Sequence, residues 1–197
     1  MSGIVGSRFN IRGSGLVGSL GTDGQVFTSS GAGKSAVFEA AAGGGKILQV
    51  QHATFSTETS TTGQTLVVTE VLDQITPSAS SSKIFVICNL ICTATESSGT
   101  GVRVFLEIQR QIDGGGYSGV YQNESNYSIQ HQITGASEAY NIATPITLTY
   151  TDSPSTTNAV DYAVYFAIPS NNDAGDTITT GGSALDSSIT LMEIDGS

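Results

Sequence analysis

The chain has 197 residues, of which 12% are charged, with 7 basic residues against 17 acidic ones and a net charge of −10. That balance argues against nucleic acid and anionic membrane as partners, since both reward clustered Lys and Arg. No apolar run reaches the ~20 residues needed to cross a bilayer, so no membrane insertion is expected.

The start, Met1-Ser2-Gly3-Ile4-Val5-Gly6-Ser7-Arg8, lacks the apolar stretch of a secretion signal. The protein is therefore expected to be made and left in a cytoplasm, unless it leaves by another route such as lysis. Composition changes near Gly43-Gly44-Gly45. Residues 1–45 hold half of the 24 glycines, and residues 46–197 hold all but two of the 17 acids. Two segments of such different make-up are expected to do different jobs.

Residues 1–45 scatter their apolar side chains among glycines and cannot build a core. Ordering 45 backbones costs about 1–2 kcal/mol each, which such a leader cannot offset alone. It is therefore expected to be held by sister chains or a larger assembly. Candidate contact residues are Phe9, Ile11, Leu16, Val17, Val26, Phe27, Val37 and Phe38. Gly15, Gly18, Gly21 and Gly24 recur every third residue, as a collagen helix demands. The phase breaks at Phe9, Arg12 and Phe27, and the segment has no proline. Asp23-Gly24 followed by Gln25-Val26-Phe27-Thr28 instead predicts a turn and a short strand. A second turn over Ser30-Gly31-Ala32-Gly33 leads into another short strand, Ser35-Ala36-Val37-Phe38.

Gly33-Lys34-Ser35 looks like the end of a phosphate-binding loop, but the position five residues before Gly33 is Thr28. The loop needs glycine there so that its backbone N–H groups can ring the phosphates. The apolar stretch after Ser35 also stops at Gly43, about two turns at most. The match is compositional, and no cofactor is expected.

From residue 46 onward, apolar residues alternate with period two, the mark of half-buried strands. Strands are expected over residues 46–55, 64–75, 83–94, 102–109, 118–133, 146–150, 162–168 and 187–194. The inward sets include Val102, Val104, Leu106 and Ile108, then Ile146, Leu148 and Tyr150, then Tyr162, Val164, Phe166 and Ile168. Turn-forming stretches such as Asp113-Gly114-Gly115-Gly116 separate them, and no amphipathic helix is evident. About eight strands predict an all-β fold, an antiparallel jelly-roll-like β-sandwich knob preceded by the extended Gly-rich anchor.

The strand over residues 83–94 is apolar on both faces. Its second face, carrying Phe85, Ile87 and Ile91, needs a cover, either another subunit or a loop. Cys88 and Cys92 share the first face. They lie ~13 Å apart along a strand, beyond disulfide reach, and read as small buried hydrophobes.

Catalysis would need a base, and the two candidates, His52 and His131, sit in strand patterns with no nucleophile marked beside them. No catalytic residue and no metal site is assigned, and an enzyme is not expected. Asn171-Asn172-Asp173-Ala174-Gly175-Asp176 offers oxygen ligands but lacks the spacing of a calcium hand. Tyr117, Tyr121 and Tyr127, interleaved with amides, are candidates for a glycan-binding surface. The competing reading is that tyrosines simply suit strands.

The stretch Gly21-Thr22-Asp23-Gly24-Gln25-Val26-Phe27-Thr28-Ser29-Ser30-Gly31-Ala32-Gly33 resembles the GT-x-GQVLTS-x-GAG segment of bacteriophage tail-fibre and related virion proteins. Thr149-Tyr150-Thr151-Asp152-Ser153-Pro154-Ser155-Thr156-Thr157 and the ending Ser188-Ile189-Thr190-Leu191-Met192-Glu193-Ile194 are similar to the knobs of such fibres. The resemblance implies a homotrimeric virion component. Residues 1–45 would bind other virion proteins, and residues 46–197 would form the outward knob. This chain departs from the pattern in having no long shaft. A short fibre, a tail or collar component, or a capsid decoration protein therefore all remain open.

Overall fold

The computed structural model describes residues 22–28, 37–40, 46–96, 102–122, 129–131, 140–168, 175–182 and 186–196. The chain divides into two compact units, Met1–Gly44 and Gly45–Ser197.

In the first unit, β1 (Gln25–Thr28) pairs antiparallel with β2 (Val37–Ala40), setting Phe27 opposite Phe38. The turn before β1 closes with the Gln25 N–H donating to Thr22 O at 3.2 Å. Gly24 takes a positive φ of 87° there, which glycine adopts without steric cost.

The second unit begins with β3 (Ile47–Phe55), β4 (Thr59–Thr61), β5 (Val67–Ile75), β6 (Lys83–Glu96) and β7 (Val102–Ile112). It continues with β8 (Ser118–Gln122), β9 (Ile129–His131), β10 (Tyr140–Asp152), β11 (Val160–Ala167), β12 (Thr177–Thr180) and β13 (Ser187–Ile194). Three pairs act as single interrupted strands. β12 and β13 run one after the other along β6, β3 and β4 follow them outward, and β8 and β9 run in sequence along β7.

Merging those pairs leaves eight strand positions. One sheet reads β3/β4, β12/β13, β6, β10, and the other reads β5, β11, β7, β8/β9. In chain order that is first-eighth-third-sixth and second-seventh-fourth-fifth, the strand order of a jelly roll. The expected sandwich is therefore the observed fold.

The period-two pattern delivers the core. Val86, Cys88, Leu90, Ile189 and Leu191 from one sheet meet Val104, Leu106, Ile108, Val164 and Phe166 from the other, all essentially excluded from water. Cys88 and Cys92 are free and buried. Burial pushes each thiol up to about 12, with the Glu70 carboxylate adding to the rise at Cys92.

Two differences from the expected strands have physical causes. β10 begins at Tyr140, well before residue 146. Its Pro145 is tolerated because β10 pairs, among the described strands, with β6 alone, and an edge strand can lack an N–H. β4 and β12 are short Thr/Ser-rich strands whose pairing, rather than apolar pattern, defines them.

The register also fixes polarity. The starts of β3 and β6 and the end of β13 lie at one end, where Asp195 N–H donates to Lys46 O at 3.0 Å. Residue 46, where the chain enters from the leader, thus sits beside the last strand's exit. The connections following β6, β9 and β11 leave from the opposite end.

Candidate functional site

The outer faces of the two sheets differ in chemistry. Side chains alternating with the core on β6 are Phe85, Ile87, Asn89 and Ile91, with the three apolar ones half-buried. The register places Met192 and Thr151 beside Phe85, Thr190 and Thr149 beside Ile87, and Ser188 and Thr147 beside Asn89. Val50, His52 and Thr54 complete these rows on β3. Hydrogen bonds knit two of the rows: Thr147 Oγ1 donates to Asn89 Oδ1 at 2.7 Å, and His52 Nδ1 lies 2.9 Å from Thr190 Oγ1. Lys83, exposed at the start of β6, adds a cation at one end of this face, but no residue in these three rows carries a carboxylate, ammonium or guanidinium group. Phe85, Ile87 and Ile91 therefore stand among uncharged neighbours, and the Phe85 row extends sideways through Met192 to Val50.

The outer face of the opposite sheet carries Asp161, Gln109 and Gln111, with Glu107 buried among them. Gln74 Nε2 donates to Asp161 Oδ1 at 2.9 Å across the strands.

The candidate glycan tyrosines do not come together as one surface. Tyr117 packs against Tyr165, ring centroids 5.6 Å apart, on the outside of the β11 sheet. Tyr121 stacks on Tyr150 at 5.3 Å and packs against the core. Burial, then Asp161 and Tyr165, push the Tyr117 phenol up. Tyr127 lies outside the described residues, as do Phe9, Ile11, Leu16, Val17 and residues 171–174 of the oxygen-rich loop. The side chain of His131 is likewise outside the description.

In the leader, Val26, Phe27 and Val37 are exposed, Phe27 by 53%, and Phe38 is half-buried against Phe27 with ring centroids 5.0 Å apart. Sequence reasoning missed other exposed apolar residues: Ile47, Leu48 and Val50 on β3, and Val67, Val68 and Leu72 on β5. The signal was present, since residues 47–50 hold three apolar side chains that one buried face could not take.

The polar interior is built for stability. Asp152 accepts two hydrogen bonds from Arg110 Nη1, at 2.9 and 2.7 Å, one from Tyr162 OH at 2.7 Å and one from Ser153 N–H at 2.8 Å. Glu193, fully buried, accepts from Ser78 N–H at 2.7 Å, Ser78 Oγ at 2.6 Å and Gln49 Nε2 at 2.7 Å. Burial alone would raise its carboxyl, but these donors outweigh it and hold it at about 2. Among the described residues no group of three or more His, Cys, Asp or Glu could hold a metal, and no helix is long and apolar enough to cross a membrane.

No family model and no curated protein matches the chain. Solved structures similar to it include the VP2 subviral particle of infectious bursal disease virus, at a TM-score of 0.36 and 11% identity, covering 86% of this chain and 44% of that one. The Gt strain of the same virus is similar at a TM-score of 0.33 and 10% identity, covering 86% of this chain and 45% of that one. The chain spans less than half the length of these proteins.

Proposed function

We propose that this protein is a non-enzymatic structural component of a bacteriophage virion. In this reading it is a homotrimeric short fibre, or a tail or collar part, with residues 1–45 as anchor and the jelly roll as outward knob. The observation that carries the reading is the β1–β2 hairpin. A two-stranded sheet is marginal in water by itself, and this one leaves Val26, Phe27 and Val37 exposed. Such a hairpin gains stability by packing its aromatic pair against copies of itself or against other virion proteins.

The register of the knob sets the entry of the chain at one of its ends. Residue 46 enters beside the end of β13, opposite the connections after β6, β9 and β11. The face with the half-buried Phe85, Ile87 and Ile91 supplies a second area suited to neighbouring subunits.

Sedimentation equilibrium of the full chain tests the assembly. The expected mass is a multiple of three chains, and Phe27→Ser with Phe38→Ser reduces it while the β circular-dichroism signal persists. A full-length monomer with a protease-resistant leader overturns the reading. Immunogold labelling of virions tests the position, with label on the tail or collar expected. Label spread over the shell, with loss of heat stability when the protein is absent, would instead make it a capsid decoration protein.

A further inference from the structure

Strand β3 pairs with β13 along one side, and no described strand lies along its other side. Nine residues of open ladder, ~30 Å long, are therefore presented at the rim of the sheet. Natural edge strands are normally blunted by charge, proline or shortness. The other described rims follow that rule. β10 carries Pro145 and Asp152, β5 carries Glu70 and Asp73, and β8 has five residues including Gly119. β3, Ile-Leu-Gln-Val-Gln-His-Ala-Thr-Phe, has neither a charged residue nor a proline. It also exposes Ile47 by 57%, Leu48 by 42% and Val50 by 51%.

We propose that β3 is a sheet-extension site for β3 of a second copy of this chain, the two strands pairing antiparallel about a two-fold axis and joining two jelly-roll sheets into one. The chemistry of the strand selects that occupant. At a two-fold the residue on the axis meets its own copy and its neighbours pair across it, so a charge near the axis would stand close to a like charge, which destabilises cross-strand pairs. β3 holds none. In a chain of net charge −10, most approaches between copies are repulsive, whereas the rows beside β3 through Met192, Thr190 and Ser188 are neutral. A nine-residue antiparallel ladder adds about nine backbone hydrogen bonds, close to the ten or so of a stable protein interface. The contact is independent of the leader and doubles whatever assembly the leader sets.

Light scattering of the full-length protein, with Val50→Lys and Leu72→Lys, is the test. Leu72 is exposed on β5, the rim that Glu70 and Asp73 charge, and serves as the control. The expected result is that Val50→Lys halves the mass and leaves the leader's assembly intact, while Leu72→Lys leaves the mass unchanged. An unchanged mass for Val50→Lys, as a strand from some other protein on β3 would give, overturns the proposal. So does an equal loss for both variants.

A cysteine scan supplies a second readout. Val50→Cys, Gln51→Cys and His52→Cys should cross-link copies under mild oxidation, the yield peaking at the residue nearest the axis, because paired Cα atoms there fall within disulfide reach. The native Cys88 and Cys92 are buried and do not compete. Yields no higher than that of Leu72→Cys overturn the proposal.

Discussion

The hydroxyl of Tyr162 donates to Asp152 Oδ2 at 2.7 Å, joining a strand of one sheet to a strand of the other inside the sandwich. Burial and the bond to Asp152 push the Tyr162 phenol up, so it remains a donor at any pH the protein meets. Arg110, 23% exposed, completes the clamp on the same carboxylate. Removing the hydroxyl with Tyr162→Phe deprives a buried carboxylate of one charge-assisted bond, worth about 1.5–3 kcal/mol. Asp152→Ala leaves the guanidinium without its carboxylate and should cost more, about 3–5 kcal/mol. Urea unfolding should give that order, with both variants retaining their β signal in dilute buffer.

Glu193 makes stability depend on acid pH. Its folded carboxyl sits at about 2 against an ordinary value of 4.5. A lowered folded pKa means the unfolded state binds protons first as pH falls. The stabilisation is complete above about 4.5, is lost as pH falls towards 2, and amounts to about 3 kcal/mol for this group alone. Glu193→Gln should therefore be less stable at pH 7 and show a flatter decline between pH 4.5 and 2. Equal slopes for the two proteins in acid would show that Ser78 and Gln49 do not hold the carboxylate as described.

The core shows why the sandwich was legible. Val102, Val104, Leu106 and Ile108, and Tyr162, Val164 and Phe166, recur at every second position, and all seven are buried. One buried face per strand forces such a period, so the pattern survives without an alignment. What stayed hidden depends on pairing. β4 and β12 are mostly Thr and Ser, and only their neighbours make them strands. The tyrosines show the same limit: Tyr117 and Tyr121 are close in sequence, yet one faces Tyr165 and the other closes the core against Tyr150. Asp152 and Glu193 look like ordinary surface acids in the sequence, because their donors come from residues 42 and 115 positions away.

Gly181 tests the interruption between β12 and β13. Its φ is +75°, and a Cβ there would lie 2.2 Å from Thr57 O, backbone that cannot swing aside as a side chain could. Both the left-handed conformation and the contact oppose a side chain. Gly181→Ala should destabilise the domain by roughly 1–3 kcal/mol. Gly116→Ala, where a Cβ meets nothing within 4 Å, should change stability little. Thermal melts of the pair decide the point, and equal midpoints would remove the close approach from the account.

The two thiols give a final check on the interior. Cys88 and Cys92 both point into the core and are raised to about 12. Because the thiolate is the reactive form, neither should react with a maleimide at pH 8 while the protein is folded. Both should react in denaturant, where the thiols regain ordinary acidity and access. Mass spectrometry after a timed pulse would count the labels, none before unfolding and two after. Destabilising the Asp152 clamp with Asp152→Ala raises the open population, so labelling of the folded protein should accelerate in that variant. Rapid labelling of the unaltered protein would instead place this face of β6 away from the core and undo the assignment of Cys88 and Cys92 to the interior.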